Sequence, residues 1–91
     1  MKLADADIAA KLQALPGWQK FGAEIRKTFE LKDFAAAMGF VTSVALLSEK
    51  GNHHPDIDIR WNKVTLVLST HSEGGLTEKD FALATKIEAL N

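Results

Sequence analysis

Apolar residues recur at two different spacings along this chain, and the change from one to the other marks its elements. From Glu24 to Leu31 they alternate, with Ile25, Phe29 and Leu31 on one side and Glu24, Arg26, Thr28 and Glu30 on the other. A period of two is that of a half-buried strand. Lys27 interrupts the apolar side, as a place near a sheet edge would allow. Asp56 to Trp61 alternates again, Ile57, Ile59 and Trp61 against Asp56, Asp58 and Arg60. Asn62-Lys63 fits a two-residue hairpin turn, since Asn tolerates positive φ, and Val64 to Thr70 is the return strand. Such a turn pairs Trp61 with Val64 and puts Ile57, Ile59, Trp61, Val64, Leu66 and Leu68 on one face. A short strand over Trp18 to Phe21 precedes the 24–31 strand through a Gly22-Ala23 turn.

The remaining segments have helical spacing. Ile8, Leu12 and Leu15 predict a helix from Ala4 to Ala14, with Asp5 available as its cap and Pro16-Gly17 ending it. Asp33 to about Glu49 is the long helix. Phe34, Met38, Val41 and Ala45 form one stripe along it, and Ala36, Phe40, Val44 and Leu47 an adjacent one. A helix lying on a sheet needs an apolar stripe of roughly 100°. This one has more than half its circumference apolar, which points to an interface between copies of the chain. "LTEKD" opens the last helix: Thr77 and Asp80 have capping-box spacing, with Asp in place of the usual Glu, and Leu83, Ala84, Ile87 and Leu90 make its buried stripe. Hairpins separated by a helix imply an α+β two-layer sandwich, a four-stranded antiparallel sheet with three helices packed on one face. All 91 residues form a single domain.

Composition narrows the function. The 46% hydrophobic and 25% charged residues are those of an ordinary soluble domain. A net charge of −1 from 11 basic and 12 acidic residues, with no basic run, argues against non-specific binding of nucleic acid or an anionic membrane. There is no cysteine, hence no disulfide, thiolate ligand or cysteine nucleophile, which fits a cytoplasmic location. Asp5 and Asp7 interrupt the place where a signal peptide would be apolar. The apolar run Phe34–Leu47 is shorter than a membrane span.

The candidate chemistry lies around the second hairpin. All three histidines, His53, His54 and His71, flank it. Residues before its first strand and after its second lie at the same end of an antiparallel pair, so three imidazoles are expected to converge there. Three readings stay open: loop histidines without a shared role, a three-histidine metal site, and metal-free acid–base catalysis. Pro55 pushes His54 toward extended geometry, and successive extended side chains point apart, which disfavours joint ligation. Divergent rings suit acid–base work, for which histidine titrates near neutrality.

Glu49, four residues before His53, can orient an imidazole or meet a polar ligand edge, or can be a solvated helix-terminal carboxylate. Asp80 is first a helix cap. Gly74-Gly75 permits a tight turn but lacks a phosphate-loop pattern. Lys79 stands in the first turn of the last helix, where the dipole disfavours a cation, so it is a candidate for facing an anion or polar ligand. Trp61 reads as core rather than as a ligand platform. No serine or threonine sits in a nucleophile-elbow context.

The ordered stretch "EKGNHHPDIDIRWNKVTLVLSTHSEGGLTEKD", with "IRKTFELKDFAAAMGFV" and "GW" upstream, resembles the pterin-4a-carbinolamine dehydratases over nearly the whole chain. That family has a Glu-Lys pair before Asn-His-His-Pro, then a "YNKV"-like hairpin, "TH", and a Gly-Leu-Thr/Ser-x-x-Asp helix start. The resemblance implies a four-stranded antiparallel sheet with three helices, assembled as homodimers or homotetramers. It implies dehydration of a 4a-hydroxytetrahydropterin to the quinonoid dihydropterin, recycling the cofactor of aromatic amino-acid hydroxylases, with no metal or organic cofactor. It places active-site histidines on His53, His54 and His71, and substrate-binding positions on Glu49, Pro55, Lys79 and Asp80. His53 and His71 are then expected to carry the proton transfers, and His54 to bind and orient the pterin. Lys79 departs from the arginine of well-known members and loses the planar fork. Trp61 stands where tyrosine is common. The resemblance leaves two alternatives, a relative acting on another pterin, as in molybdopterin metabolism, and a non-catalytic dimerisation or coactivator module.

Overall fold

The two alternating hairpins join into one antiparallel sheet in the order β1-β2-β4-β3. The computed structural model describes residues 1–90, and in it α1 (Asp5–Leu12) precedes β1 (Gln19–Phe21) and β2 (Glu24–Glu30). Next come α2 (Phe34–Gly51), β3 (Asp56–Arg60), β4 (Lys63–Leu68) and α3 (Glu78–Glu88), with a single 3-10 turn at His71–Glu73 between β4 and α3. The expected α+β sandwich is therefore present, with its three helices and four strands.

The inner face of the sheet is set by pairing. Ile25 lies opposite Leu68, Phe29 opposite Val64, Ile57 opposite Leu66 and Ile59 opposite Val64. Onto this face pack Ile8 of α1, Ala37, Phe40 and Val44 of α2, and Phe81, Leu83, Ala84 and Ile87 of α3. Each fully buried Ile25, Leu66, Leu68 or Ile87 contributes roughly 1.5–3 kcal/mol. The outer face keeps Arg26, Thr28 and Glu30 exposed.

Several sequence expectations shift in register rather than in kind. The second hairpin turns at Trp61-Asn62, so Arg60 pairs with Lys63 and Ile59, not Trp61, lies opposite Val64. Asn62 is committed elsewhere: its Nδ2 donates to the Leu31 carbonyl at 2.9 Å, and its own carbonyl accepts from Leu31 N at 2.8 Å. Trp61 takes the left-handed position, φ 53°, and is 67% exposed, so it is not a core residue. The displacement is by two residues, and the other five apolar side chains keep their common face. Strand β4 ends at Leu68, two residues before the expected Thr70.

Asp5 does not cap α1. Ala4 is the N-cap, with no side-chain bond, and Asp5 and Asp7 lie in the first turn, where a negative charge is favourable to the helix dipole. Leu90, expected in the stripe of α3, lies beyond the helix and is exposed, while Phe81 joins that stripe. Lys27 belongs to an inner strand, not an edge strand, but β1 stops opposite Arg26. There the Lys27 ammonium meets Glu88 at 2.8 Å and the Pro16 carbonyl at 3.0 Å.

Of the two stripes on α2, the one through Phe40 and Val44 is buried, whereas Phe34, Met38 and Ala45 remain outside, flanked by Leu46. Among the described residues no helix is long and apolar enough to cross a membrane.

Candidate functional site

The end of α2 sets the backbone of the first histidine. Asn52 follows the helix in the left-handed conformation, φ 51°, which Asn accepts more readily than most residues. Asn52 N donates to the Glu49 carbonyl at 3.3 Å and His53 N to the Ser48 carbonyl at 3.1 Å. These two bonds are the Schellman ending of a helix. His53 thus leaves α2 at a fixed angle, and Pro55 carries the chain into β3.

The two adjacent imidazoles point apart. The His53 side chain is 13% exposed, and its Nε2 lies 2.6 Å from Oδ1 of Asp80. His54 turns outward at 55% exposure and meets the carboxylate of Glu49, itself 78% exposed, at 2.8 Å. Glu49 therefore orients His54, five positions away, and not His53. In so exposed a pair the interaction adds little stability.

Asp80 performs two structural tasks at once. It is the third residue of α3, and its Oδ2 accepts from Thr77 N at 2.9 Å, completing a capping box. The same oxygen accepts from the Thr70 hydroxyl at 2.8 Å. The side chain is 0% exposed. With partners on both oxygens, Asp80 stands behind His53 in this geometry.

His71 follows Thr70 immediately and opens the 3-10 turn. A bridge closes that loop: Thr70 N donates to the Gly75 carbonyl at 3.0 Å, and Gly75 N to the Thr70 carbonyl at 3.3 Å. Gly74, at φ 75°, makes the reversal possible. The histidines thus lie at one end of the β3–β4 hairpin, and the Asp80 carboxylate links His53 to the residue next to His71. Among the described residues no three His, Asp or Glu side chains are grouped to hold a metal ion.

Lys79 is exposed in the first turn of α3 and has no ion pair among the described residues. With His53 and Lys86 it lines a small cavity of about 140 Å³ between α2 and α3. A larger groove, about 680 Å³, runs from the N-terminal segment past Thr70 and Thr77 to Lys79. Two features escaped the sequence reading. Thr70 and Thr77 look like ordinary strand-end and cap residues until the Thr70 hydroxyl is seen on Asp80 and the Thr77 hydroxyl on Thr70, and Asn52 looks like a loop residue until its backbone conformation is known.

The chain matches the family model described as Pterin 4 alpha carbinolamine dehydratase over residues 1–90. A protein from Roseiflexus sp. (strain RS-1), provisionally named pterin-4-alpha-carbinolamine dehydratase, is 57% identical over 98% of this chain and 96% of its own length. One from Thermomicrobium roseum, with the same provisional name, is 51% identical over the same shares. Among solved structures, a transcriptional coactivator/pterin dehydratase from Brucella melitensis superposes with a TM-score of 0.95 at 40% identity. It covers 99% of this chain and 98% of that one. A pterin dehydratase-like protein identified as a RuBisCO assembly factor in the alpha-carboxysome gives 0.66 at 27% identity, over 80% and 84%.

Proposed function

The chain belongs to the pterin 4-alpha-carbinolamine dehydratase family, and on that footing we propose that it dehydrates a 4a-hydroxytetrahydropterin to the quinonoid dihydropterin, as in recycling of the cofactor of aromatic amino-acid hydroxylases. The observation that supports this most is the anchoring of His53 on the buried carboxylate of Asp80, which also accepts from the hydroxyl of Thr70, the residue before His71. Loss of water from a carbinolamine breaks the carbon–oxygen bond. The leaving hydroxyl needs a proton, and the neighbouring ring nitrogen must give one up. Two imidazoles in different surroundings can divide these tasks without a metal or cofactor.

His53 is the base in this reading. Its Nε2–H faces an acceptor carboxylate that would stabilise the imidazolium formed when Nδ1 takes the ring-nitrogen proton. His71, exposed at the rim, delivers the proton to the departing hydroxyl, and water leaves. Solvent then returns both histidines to their starting states. His54, held by Glu49 and directed outward, binds and orients the pterin beside Pro55, and Lys79 faces its polar periphery. Asp80 acts through His53.

The same proposal includes a homo-oligomer, dimer or tetramer, and a cytoplasmic location. The former is supported by the uncovered apolar side of α2 and by Ile57 and Ile59 half-exposed on the edge strand β3. The latter is consistent with the absence of cysteine.

The test is a carbinolamine dehydration assay with purified protein, with and without a chelator. Turnover that survives chelation and falls in His53→Ala and His71→Ala supports the reading. Full activity in both variants removes it.

A further inference from the structure

The carboxylate behind His53 is itself held by a chain of hydroxyls. Thr70 Oγ1 donates to Oδ2 of Asp80 at 2.8 Å. A hydroxyl has one proton, so Thr70 must act as acceptor in its second contact, with Thr77 Oγ1 at 2.8 Å. Thr77 Oγ1 in turn accepts from Lys79 N at 3.3 Å. The direction of every bond is then determined: Lys79 N–H to the Thr77 hydroxyl, Thr77 to Thr70, Thr70 to Asp80. Thr70, Thr77 and Asp80 are all buried, where such a chain strengthens cooperatively and a missing partner is costly.

This order has a consequence for the imidazole. Oδ2 is filled by the Thr70 hydroxyl and the Thr77 amide, which leaves Oδ1 as the acceptor toward His53. His53 must then donate through Nε2, and Nδ1 is left with the lone pair. Thr70 also fixes the other half of the site, since its backbone closes the loop that carries His71 through the bridge to Gly75.

We propose that Thr70, supported by Thr77, is a positioning residue that holds His53 as the Nε2–H tautomer with Nδ1 free to take a proton, and so sets His53 and His71 on one rigid frame. The part concerning turnover rests on the dehydratase reading; the part concerning the tautomer does not.

The experiment compares wild type with Thr70→Ser, which keeps the hydroxyl, and Thr70→Val, which keeps the shape without it. Ring nitrogen NMR of ¹⁵N-histidine-labelled protein, recorded at a pH where the imidazoles are neutral, reports the tautomer of His53. Wild type and Thr70→Ser are expected to show a single Nε2–H form, and Thr70→Val a mixture. In the dehydration assay, Thr70→Val should lose about tenfold in kcat with KM changed less than about twofold, while Thr70→Ser stays within about threefold.

An unchanged His53 tautomer and unchanged kcat in folded Thr70→Val overturn the proposal. If that variant does not fold, the wild-type spectrum decides: an Nδ1–H form or a mixture overturns it, a single Nε2–H form upholds it. A fixed tautomer that Thr70→Val disturbs, in a protein without dehydratase activity, upholds the positioning role and removes the pterin reading instead.

Discussion

His53 and Asp80 are 27 residues apart in sequence, yet Nε2 of the imidazole lies 2.6 Å from a carboxylate oxygen that solvent does not reach. The contact joins the end of α2 to the start of α3. A residue whose visible duty is to cap a helix thereby becomes the support of the candidate base. Asp80→Asn keeps the volume but cannot accept from three donors at once. It should reduce kcat by about a hundredfold while KM changes little. Asp80→Ala also leaves the Thr70 hydroxyl, the Thr77 amide and the His53 ring N–H without their acceptor and should cost about 3 kcal/mol of stability. Steady-state kinetics and urea unfolding measure the two effects separately.

The outward histidines should behave differently. His54 and Glu49 form an exposed pair, so Glu49→Gln and His54→Gln are expected to change stability by less than about 0.5 kcal/mol. Their effect should fall on KM, raised several-fold, with kcat nearly kept. His71→Ala should do the reverse and lower kcat by about a hundredfold in a protein of normal stability. Equal losses of kcat in all three would contradict the division of roles.

Much of this arrangement is legible in the chain. The alternation around Ile57 and Val64 gives the hairpin and its common apolar face, though not its register, the Thr77–Asp80 spacing gives the capping box, and Pro55 gives the divergence of the two imidazoles. What the sequence does not show are interactions between distant segments. Nothing near Asn62 announces that its side chain and backbone will bind Leu31, and that commitment moves the turn and expels Trp61 from the core. Nothing in Thr70 shows that its single proton is spent on Asp80. Local periodicity specifies faces, and hydrogen-bond partners across elements must be seen.

Asn52 offers a test of how the helix ending serves the site. Its left-handed backbone is easy for glycine and strained for alanine. Asn52→Gly should be close to neutral in stability, whereas Asn52→Ala should cost about 1 kcal/mol. Because His53 N is the last donor of the Schellman ending, Asn52→Ala should also loosen the imidazole and lower kcat several-fold. Thermal unfolding and the dehydration assay report the two outcomes, and a stable but slow Asn52→Gly would contradict this account.

The uncovered side of α2 leads to a prediction about assembly. Phe34, Met38 and Ala45 lie along one line of the helix, with Leu46 at its flank 68% exposed, while the adjacent stripe through Phe40 and Val44 already fills the core. A monomer would keep this apolar line in water, and contact between copies would remove it. Phe34 is the first residue of α2, where a carboxylate is favourable to the helix dipole. Phe34→Glu combined with Met38→Glu should therefore leave the fold intact, since neither side chain is buried in the chain itself, and should disrupt association. Light scattering at micromolar concentration is expected to give a multiple of the 10.0 kDa chain mass for wild type and a lower mass for the double variant. Circular dichroism of the same samples separates loss of assembly from loss of structure, and a wild type already at the monomer mass would show that this face serves something other than a second copy.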